Sequence, residues 1–300
     1  MTRSILHMLT PLKHMSPFDV NMAADAGFDI IVPYTSVMVS EVGSLVQDAI
    51  FSRAPQHGVR TGLFIAGKNA EMALDMVDAA RNAFVPPFQL HVFADPAGSF
   101  TTGAAMVAVV SKVLREKTGQ DLAGRRVVLF GGTGVVAYCA AVLVAHQGGH
   151  PVLVGYDGRE RVARIASSMK ERFDVEVEAV DGSTADLRRE VSREADIILS
   201  AAAAGVQVLT EDDLTVANRL LVAADVNAVP PAGIAGVDVQ AAGEPLPSGR
   251  GVGVGALAIG NVKYQTEAGL FRPMLEADHP LGHVADGRTR RGGVARIHDH

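Results

Sequence analysis

Val127-Val-Leu-Phe-Gly-Gly-Thr-Gly-Val-Val-Ala137 is a continuous apolar run that ends in glycines and passes at once into a small-residue helical pattern. This is the strand, tight turn and helix start of a dinucleotide-binding unit. On this reading Gly132 makes the turn and Gly134 lets backbone approach a pyrophosphate. Ala137 lets the helix pack closely on the strand. The first helical turn, with Thr133, Val135 and Val136, offers free N–H groups and the positive end of the helix dipole to an anion. Glycine turns also join strands to helices for structural reasons alone, so the context matters. Val152-Leu-Val154 reads as the next strand, about 20 residues on, where such a fold meets the adenosine ribose.

Outward from this stretch, both flanks alternate strand-like and helix-like segments. On the N-terminal side the strands are 4–9, 29–33, 62–66 and 89–94, and the helices 17–26, 40–52 and 70–84. Ser16 is the N-cap and Pro17 the N1 residue of the first helix. Phe100 to Glu116 reads as a long bridging helix. Beyond it lie strands at 126–130, 152–154, 176–179, 197–199 and 220–223. The segment 229–247 is a Pro- and Gly-rich loop passage, 251–257 a last strand, and 258–277 a helix. Repeated βα units predict buried parallel sheets. The fold class is therefore α/β with two domains. Residues 1–100 form an N-terminal parallel α/β substrate domain and 101–257 a Rossmann-type NAD(P)-binding domain. A C-terminal helix, about 258–280, returns to the first domain. The end of the chain, 281–300, is Gly- and Arg-rich without apolar periodicity and is read as a solvated, disordered tail.

Bulk properties narrow the function. The chain has 300 residues, 48% apolar and 20% charged, enough for two ordinary domains. A net charge of -6 gives no support to nucleic-acid binding. The one cysteine, Cys139, excludes an internal disulfide or a cysteine cluster for zinc and reads as packing on the helix after the glycine turn. No apolar run of 18 residues suggests a membrane span, and the N-terminal apolar stretch is short for a signal peptide, so a cytoplasmic protein is expected. No HExxH or GxSxG occurs, and the histidines show no paired ligand spacing within a helix. No metal is expected, and cofactor-borne chemistry is favoured.

Candidate site residues follow from the ends of the strands. In Gly155-Tyr-Asp-Gly-Arg-Glu-Arg161, Asp157 suits the ribose hydroxyls of NAD, whereas Arg159 or Arg161 suits the 2′-phosphate of NADP. Tyr156 lies among them, and both cofactors are expected. Solvated charges in a first helical turn are the competing reading. Ser200 and Ala201 open Ser200-Ala-Ala-Ala-Ala-Gly205, whose small residues let backbone approach the cofactor or simply favour helix. Asp225 and Asn227 end another strand and are placed near the nicotinamide. Asp95, Ser99 and Thr102 lie in the segment joining the domains, where Ser99 or Thr101 caps the following helix or the segment lines a cleft. Phe18 and Asp19 lie in the first turn of the first helix, where Asp19 complements the helix dipole. Lys263 is not singled out by spacing.

Five segments together carry a resemblance. They are Ser4-Ile-Leu-His-Met-Leu-Thr-Pro-Leu-Lys-His-Met-Ser-Pro-Phe-Asp19, Phe93-Ala-Asp-Pro-Ala-Gly-Ser-Phe-Thr-Thr-Gly103, Phe130-Gly-Gly-Thr-Gly-Val-Val-Ala137, Ala224-Asp-Val-Asn-Ala-Val-Pro-Pro231 and Gly255-Ala-Leu-Ala-Ile-Gly-Asn-Val-Lys-Tyr264. With them the chain resembles the NAD(P)-dependent methylene-tetrahydromethanopterin dehydrogenases of methylotrophic bacteria. The resemblance implies two α/β domains with the pterin between them. It implies hydride transfer from methylene-tetrahydromethanopterin to NAD(P)⁺ in one-carbon metabolism, the oxidation of formaldehyde, and a homo-oligomer. It also implies that Lys263 and Asp19 act in the active site, with Phe18, Asp95, Ser99 and Thr102 on the pterin side. A methylene-tetrahydrofolate dehydrogenase of the same architecture and a non-catalytic NAD(P)-sensing protein are the other readings.

Overall fold

The computed structural model describes residues 2–276. The tail read at 281–300, and the end of the returning helix, lie outside the described residues. The chain divides into two compact units. One comprises the residues up to Thr101 with those from Gln265 onward, and the other comprises Thr102–Tyr264.

The first unit runs β1 (Ile5–Leu9), α1 (Pro17–Ala26), β2 (Ile30–Tyr34), α2 (Val39–Phe51), β3 (Thr61–Ile65), α3 (Ala70–Asn82) and β4 (His91–Ala94), and it holds the start of α4 (Ser99–Thr118). Its strands form a wholly parallel sheet in the order β2-β1-β3-β4. Each strand is therefore followed by a helical crossover, as the alternating sequence requires. Pro33 is tolerated in β2 because that strand is an edge and its missing N–H breaks no central ladder. Ser16 caps α1, accepting from the Asp19 N–H at 3.4 Å, and Gly27 ends the helix at φ 105°.

The second unit contains β5 (Arg126–Phe130), α5 (Val135–His146), β6 (His150–Gly155), α6 (Arg159–Phe173), β7 (Glu178–Asp181), α7 (Ala185–Arg193), β8 (Ile197–Ser200), α8 (Glu211–Thr215), β9 (Val222–Asp225), β10 (Ala242–Pro245), β11 (Val252–Val254) and the greater part of α9 (Ala256–Phe271). Its sheet order is β10-β11-β9-β8-β5-β6-β7. Read from β7 to β11, this is the doubly wound 3-2-1-4-5-6 order, with the chain reversing direction between β5 and β8. Only β10 is antiparallel. It lies inside the segment expected to be loop, because Ala242-Gly-Glu-Pro245 has neither the length nor the β-branched residues that announce a strand. An edge place beside β11 is enough to hold it.

The helix expected over 258–277 is broken. α9 stops at Phe271, and α10 (Pro273–Glu276) starts on Pro273, which has no N–H for the helix ladder. Phe271 and Met274 are fully buried in the first unit's core with Leu6, Met8, Phe28, Phe64 and Phe93. The Phe271 ring lies 5.1 Å from Phe93 and 5.5 Å from Phe64, centroid to centroid. The chain's return therefore completes this core. The second unit has its own core, centred on Val128, Phe130, Val152, Ile198, Leu214 and Ala223.

One helix, Pro96–Thr118, is long and apolar enough to cross a membrane by length and composition, a segment the expectation of no apolar run passed over. Within the fold, 61% of its apolar window is buried. That marks a core helix.

Candidate active site

The carboxyl end of β5 is built by close approach of backbone. Gly131, not Gly132, makes the left-handed turn, at φ 76°. A Cβ there would run into the Ala201 carbonyl and stand 2.7 Å from the Ala202 nitrogen. Gly132 serves a different purpose: its Cβ would stand 2.9 Å from the Val154 carbonyl oxygen, so it lets the crest sit against β6. Gly134 is the N-cap of α5 and gives it no side-chain cap. α1, α3, α7 and α8 start on Ser16, Asn69, Thr184 and Thr210, each of which accepts a first-turn N–H. The first N–H groups of α5, by contrast, are left to a ligand or water. Ala137 is fully buried beneath them, and Thr133, Val135 and Val136 are partly exposed on the crest. Gly131 is the residue the sequence reading missed. Gly132, Gly134 and Ala137 fit the G-x-G-x-x-A spacing, which leaves Gly131 outside the pattern, and only the backbone dihedral shows that it makes the turn.

At the end of β6, α6 also starts on a glycine without a side-chain cap, Gly158 at φ 111°. Tyr156, Asp157 and Arg159 are all exposed there. Their polar groups are partly engaged. Arg161 donates to Asp157 Oδ2 at 2.9 Å and to the Tyr156 hydroxyl at 3.0 Å. The Arg159 Nε donates to the Ala179 carbonyl at 2.8 Å. Asp157 and Tyr156 thus hold Arg161, and the bonds it donates to Asp157 and then Tyr156 raise its pKa.

Across the switch point, the ends of β5, β8 and β9 stand level, with Phe130 beside Ser200 and Ser200 beside Asp225. Asp225 is buried, and its two oxygens accept the Asn227 N–H at 3.0 Å and the Ile234 N–H at 3.1 Å. Asn227 accepts from Gly205 and Val229 and donates to the Pro231 carbonyl. These two side chains therefore knit together the loops that follow β8 and β9. Gly233 passes so close that a Cβ would lie 2.5 Å from Ser200 Oγ and 2.9 Å from Asp225 Oδ1. The Ser200 hydroxyl is fully buried and has no hydrogen-bond partner among the described residues. The partly exposed Ala201 carries the carbonyl over Gly131.

In the first unit, the loops after β1, β3 and β4 converge at the carboxyl edge of the sheet. A Cβ on Gly67 would touch Pro11 at 3.6 Å and Pro96 at 4.0 Å. Asp19, in the first turn of α1, is buried, whereas its neighbour Phe18 is 48% exposed. Asp95 is fully buried. Its carboxylate accepts the Phe100 N–H at 2.8 Å, the Thr101 N–H at 3.2 Å and the Thr101 hydroxyl at 2.6 Å. Asp95 rather than Ser99 or Thr101 therefore satisfies the start of α4, reaching across a turn in which Ala97 takes φ 55°. The Ser99 hydroxyl donates back to the Ala97 carbonyl at 3.4 Å, and Thr102 is partly buried one residue beyond the cap.

Lys263 lies partly buried on α9. One turn further along that helix Glu267 is fully buried. Sequence spacing did not single it out, since a glutamate four residues after a lysine is ordinary on a solvated helix. Among the described residues no three His, Cys, Asp or Glu side chains are grouped to hold a metal ion.

The second unit fits a dinucleotide on three counts. Gly131, Gly132 and Gly134 bring bare backbone to the carboxyl end of β5, α5 begins without a side-chain cap, and a buried hydroxyl lies unsatisfied beside the crest. The class this fold and site define is a Rossmann-type, dinucleotide-binding α/β protein. Shikimate 5-dehydrogenase from Listeria monocytogenes has the same fold, with a TM-score of 0.51 and 13% identity over 93% of this chain and 94% of that one. Ornithine carbamoyltransferase from Pyrococcus furiosus shares it too, at TM-score 0.52 and 13% identity over 89% and 83%, so fold alone does not name a reaction. Sequence does more. A family profile described as "Methylene-tetrahydromethanopterin dehydrogenase, N-terminal" matches residues 17–97. The "NAD(P)-dependent methylenetetrahydromethanopterin dehydrogenase" of Methylorubrum extorquens is 66% identical over 281 residues, 94% of this chain and 95% of that protein. The "Bifunctional protein MdtA" of the same organism is 30% identical over 92% and 94%. The chain belongs to the NAD(P)-dependent methylenetetrahydromethanopterin dehydrogenase family.

Proposed function

We propose that the protein oxidises methylene-tetrahydromethanopterin to the methenyl cation with NAD(P)⁺, in one-carbon metabolism. The observation that carries this is the 66% identity, over nearly the full length of both chains, with a relative of that name. The uncapped crest of the second unit supports it independently, because a bare α5 N-terminus beside glycines offers its free N–H groups to an anion. NAD(P)⁺ would be held by Gly131–Val136, with Tyr156, Asp157 and Arg159 at the ribose end and Ser200, Ala201, Asp225 and Asn227 toward the nicotinamide. When bound it supplies the hydride acceptor.

The chain's own residues then have limited work. The methylene carbon lies between two nitrogens whose lone pairs stabilise the cation formed, so no side chain need abstract a proton. Positioning at reactive distance, roughly 3–3.5 Å, is the main requirement. On this reading Asp19 is oriented by the capped first turn of α1 and stabilises positive charge on the pterin. Phe18, Asp95, Ser99 and Thr102 shape the pterin side, Asp95 through the α4 cap it builds. Lys263 orients substrate rather than contacting the cationic centre, which it would repel. The first unit is the pterin-binding domain and the second the NAD(P)-binding domain. Dependence on the cellular NAD(P) pool fits work in the cytoplasm, and a homo-oligomer is the assembly that the family resemblance implies.

Reduced nicotinamide is followed by absorbance, with methylene-tetrahydromethanopterin and methylene-tetrahydrofolate as separate substrates and each cofactor in turn. Turnover on the methanopterin substrate with both cofactors is expected. Turnover on the folate alone, or cofactor binding without turnover on either, overturns the proposal.

A further inference from the structure

Two arginines follow the turn between β6 and α6, and their side chains lead to different places. Arg159 is turned back along the sheet, where its Nε donates to the Ala179 carbonyl at 2.8 Å. In the parallel register Ala179 stands beside Leu153 and Asp181 beside Gly155, so that carbonyl lies two residues, roughly 6–7 Å, short of the carboxyl edge. Glu178, one residue further back, is held below the usual carboxylate range first by the bond from Arg126 and also by the Arg159 charge. Arg161 stays at the turn itself, where its Nη1 donates to Asp157 and Tyr156. Arg164 is a turn further along a helix that leads away from this edge.

We propose, resting on the NAD(P)⁺ site placed at this edge, that Arg161 is the residue that lets one site take both cofactors. It is held by Asp157 when the ribose carries a 2′-hydroxyl and passes to the phosphate when the ribose carries a 2′-phosphate. The bonding of the turn fits such an exchange. Of the Arg161 nitrogens only Nη1 is bonded among the described residues, and of the Asp157 oxygens only Oδ2. Asp157 Oδ1 can therefore accept a ribose hydroxyl while Arg161 stays in place, and Arg161 Nε and Nη2 can donate to a phosphate. The bridge is also exposed, with 47% of the Arg161 side chain and 35% of the Asp157 side chain open to solvent. An exposed pair of this kind is weak, so giving it up costs little. A phosphate near neutral pH carries about −1.5 to −2 charges and three acceptor oxygens, more than a carboxylate offers, which favours the transfer.

The surroundings act in the same direction. The Tyr156 ring centroid lies 5.7 Å from the Arg161 guanidinium carbon and gives the cation a face to turn against. α6 begins on Gly158 without a side-chain cap, so its first N–H groups and the positive end of its dipole stand at the same turn. Asp157 opposes a 2′-phosphate, and Arg161 offsets that repulsion. An aspartate alone would select NAD⁺ and an arginine alone NADP⁺, whereas the pair excludes neither.

The test is calorimetric titration of the full chain with NAD⁺ and with NADP⁺ in the absence of any pterin, so that no turnover is needed. Arg161→Gln should lower the affinity for NADP⁺ relative to NAD⁺ about tenfold, the loss of one charge-assisted contact, and Arg161→Lys should restore part of it. Arg159→Gln should leave that ratio unchanged. Asp157→Ala should raise the ratio in the parent protein and raise it less in Arg161→Gln. An unchanged ratio in Arg161→Gln, a loss in Arg159→Gln as large as that in Arg161→Gln, or the same rise from Asp157→Ala with and without Arg161 would overturn the proposal. Failure of both cofactors to bind would overturn the cofactor site and the proposal with it, whereas binding without turnover on any pterin would overturn the proposed reaction alone.

Discussion

Ser200 separates folding from binding at a single hydroxyl. Buried and unpaired, it costs the free protein part of its stability, so Ser200→Ala should leave stability unchanged or raise it by up to about 1 kcal/mol. The same change should raise the KM for NAD(P)⁺ severalfold. A urea midpoint and a cofactor titration check the two signs together. Gly131 has both signs negative. Its φ of 76° and the Ala201 carbonyl leave no room for a methyl group, so Gly131→Ala should destabilise by about 1–3 kcal/mol and weaken cofactor binding in the same titration. At the ribose end, Asp157→Ala releases Arg161, which Asp157 now holds at 2.9 Å. The ratio of kcat/KM for NADP⁺ to that for NAD⁺ should then rise about tenfold, the effect of one charge-assisted contact. An unchanged ratio would remove Asp157 from the ribose pocket. At this scale the sequence was legible wherever a residue type carries its own geometry, as Ser16 and Pro17 do at the start of α1. It was not legible where several residues compete for one role: Asp95, not the nearer Ser99, caps α4.

Elements assembled from local pattern were easier to read than those held by distant partners. α1 spans Pro17–Ala26 and β5 spans Arg126–Phe130, both as periodicity and capping predict. β10 and the break before α10 depend on an edge position and on a proline in a helical pattern, and neither is visible in apolar spacing. The last turn of α9 has the largest energetic consequence. Phe271 has no exposed surface and sits among three other phenylalanines, so Phe271→Ala should cost about 3–5 kcal/mol by opening a cavity. Thermal unfolding checks this. A loss below about 1 kcal/mol would mean that the helix end is not part of this core.

Over the whole molecule, acid should act first through histidine. His91 is fully buried, and burial holds its pKa below the usual value although the Val59 carbonyl partly opposes this. His7 is shifted the same way. A depressed folded-state value means that the unfolded chain takes up protons first. The stability contribution is therefore complete above the unfolded value near 6.5 and is lost as pH falls through the folded one. Urea midpoints should decline from about pH 7 to 5, by no more than about 1.4 kcal/mol per unit for each histidine, and His91→Gln should flatten part of the slope. The central claim concerns the reaction, and isotope transfer tests it most directly. With methylene-tetrahydromethanopterin dideuterated at the methylene carbon, the account predicts that each turnover delivers one deuterium to the reduced nicotinamide and none to water. Deuterium appearing in solvent, or reduced cofactor without deuterium, would contradict direct hydride transfer and with it the roles proposed for Asp19 and Lys263.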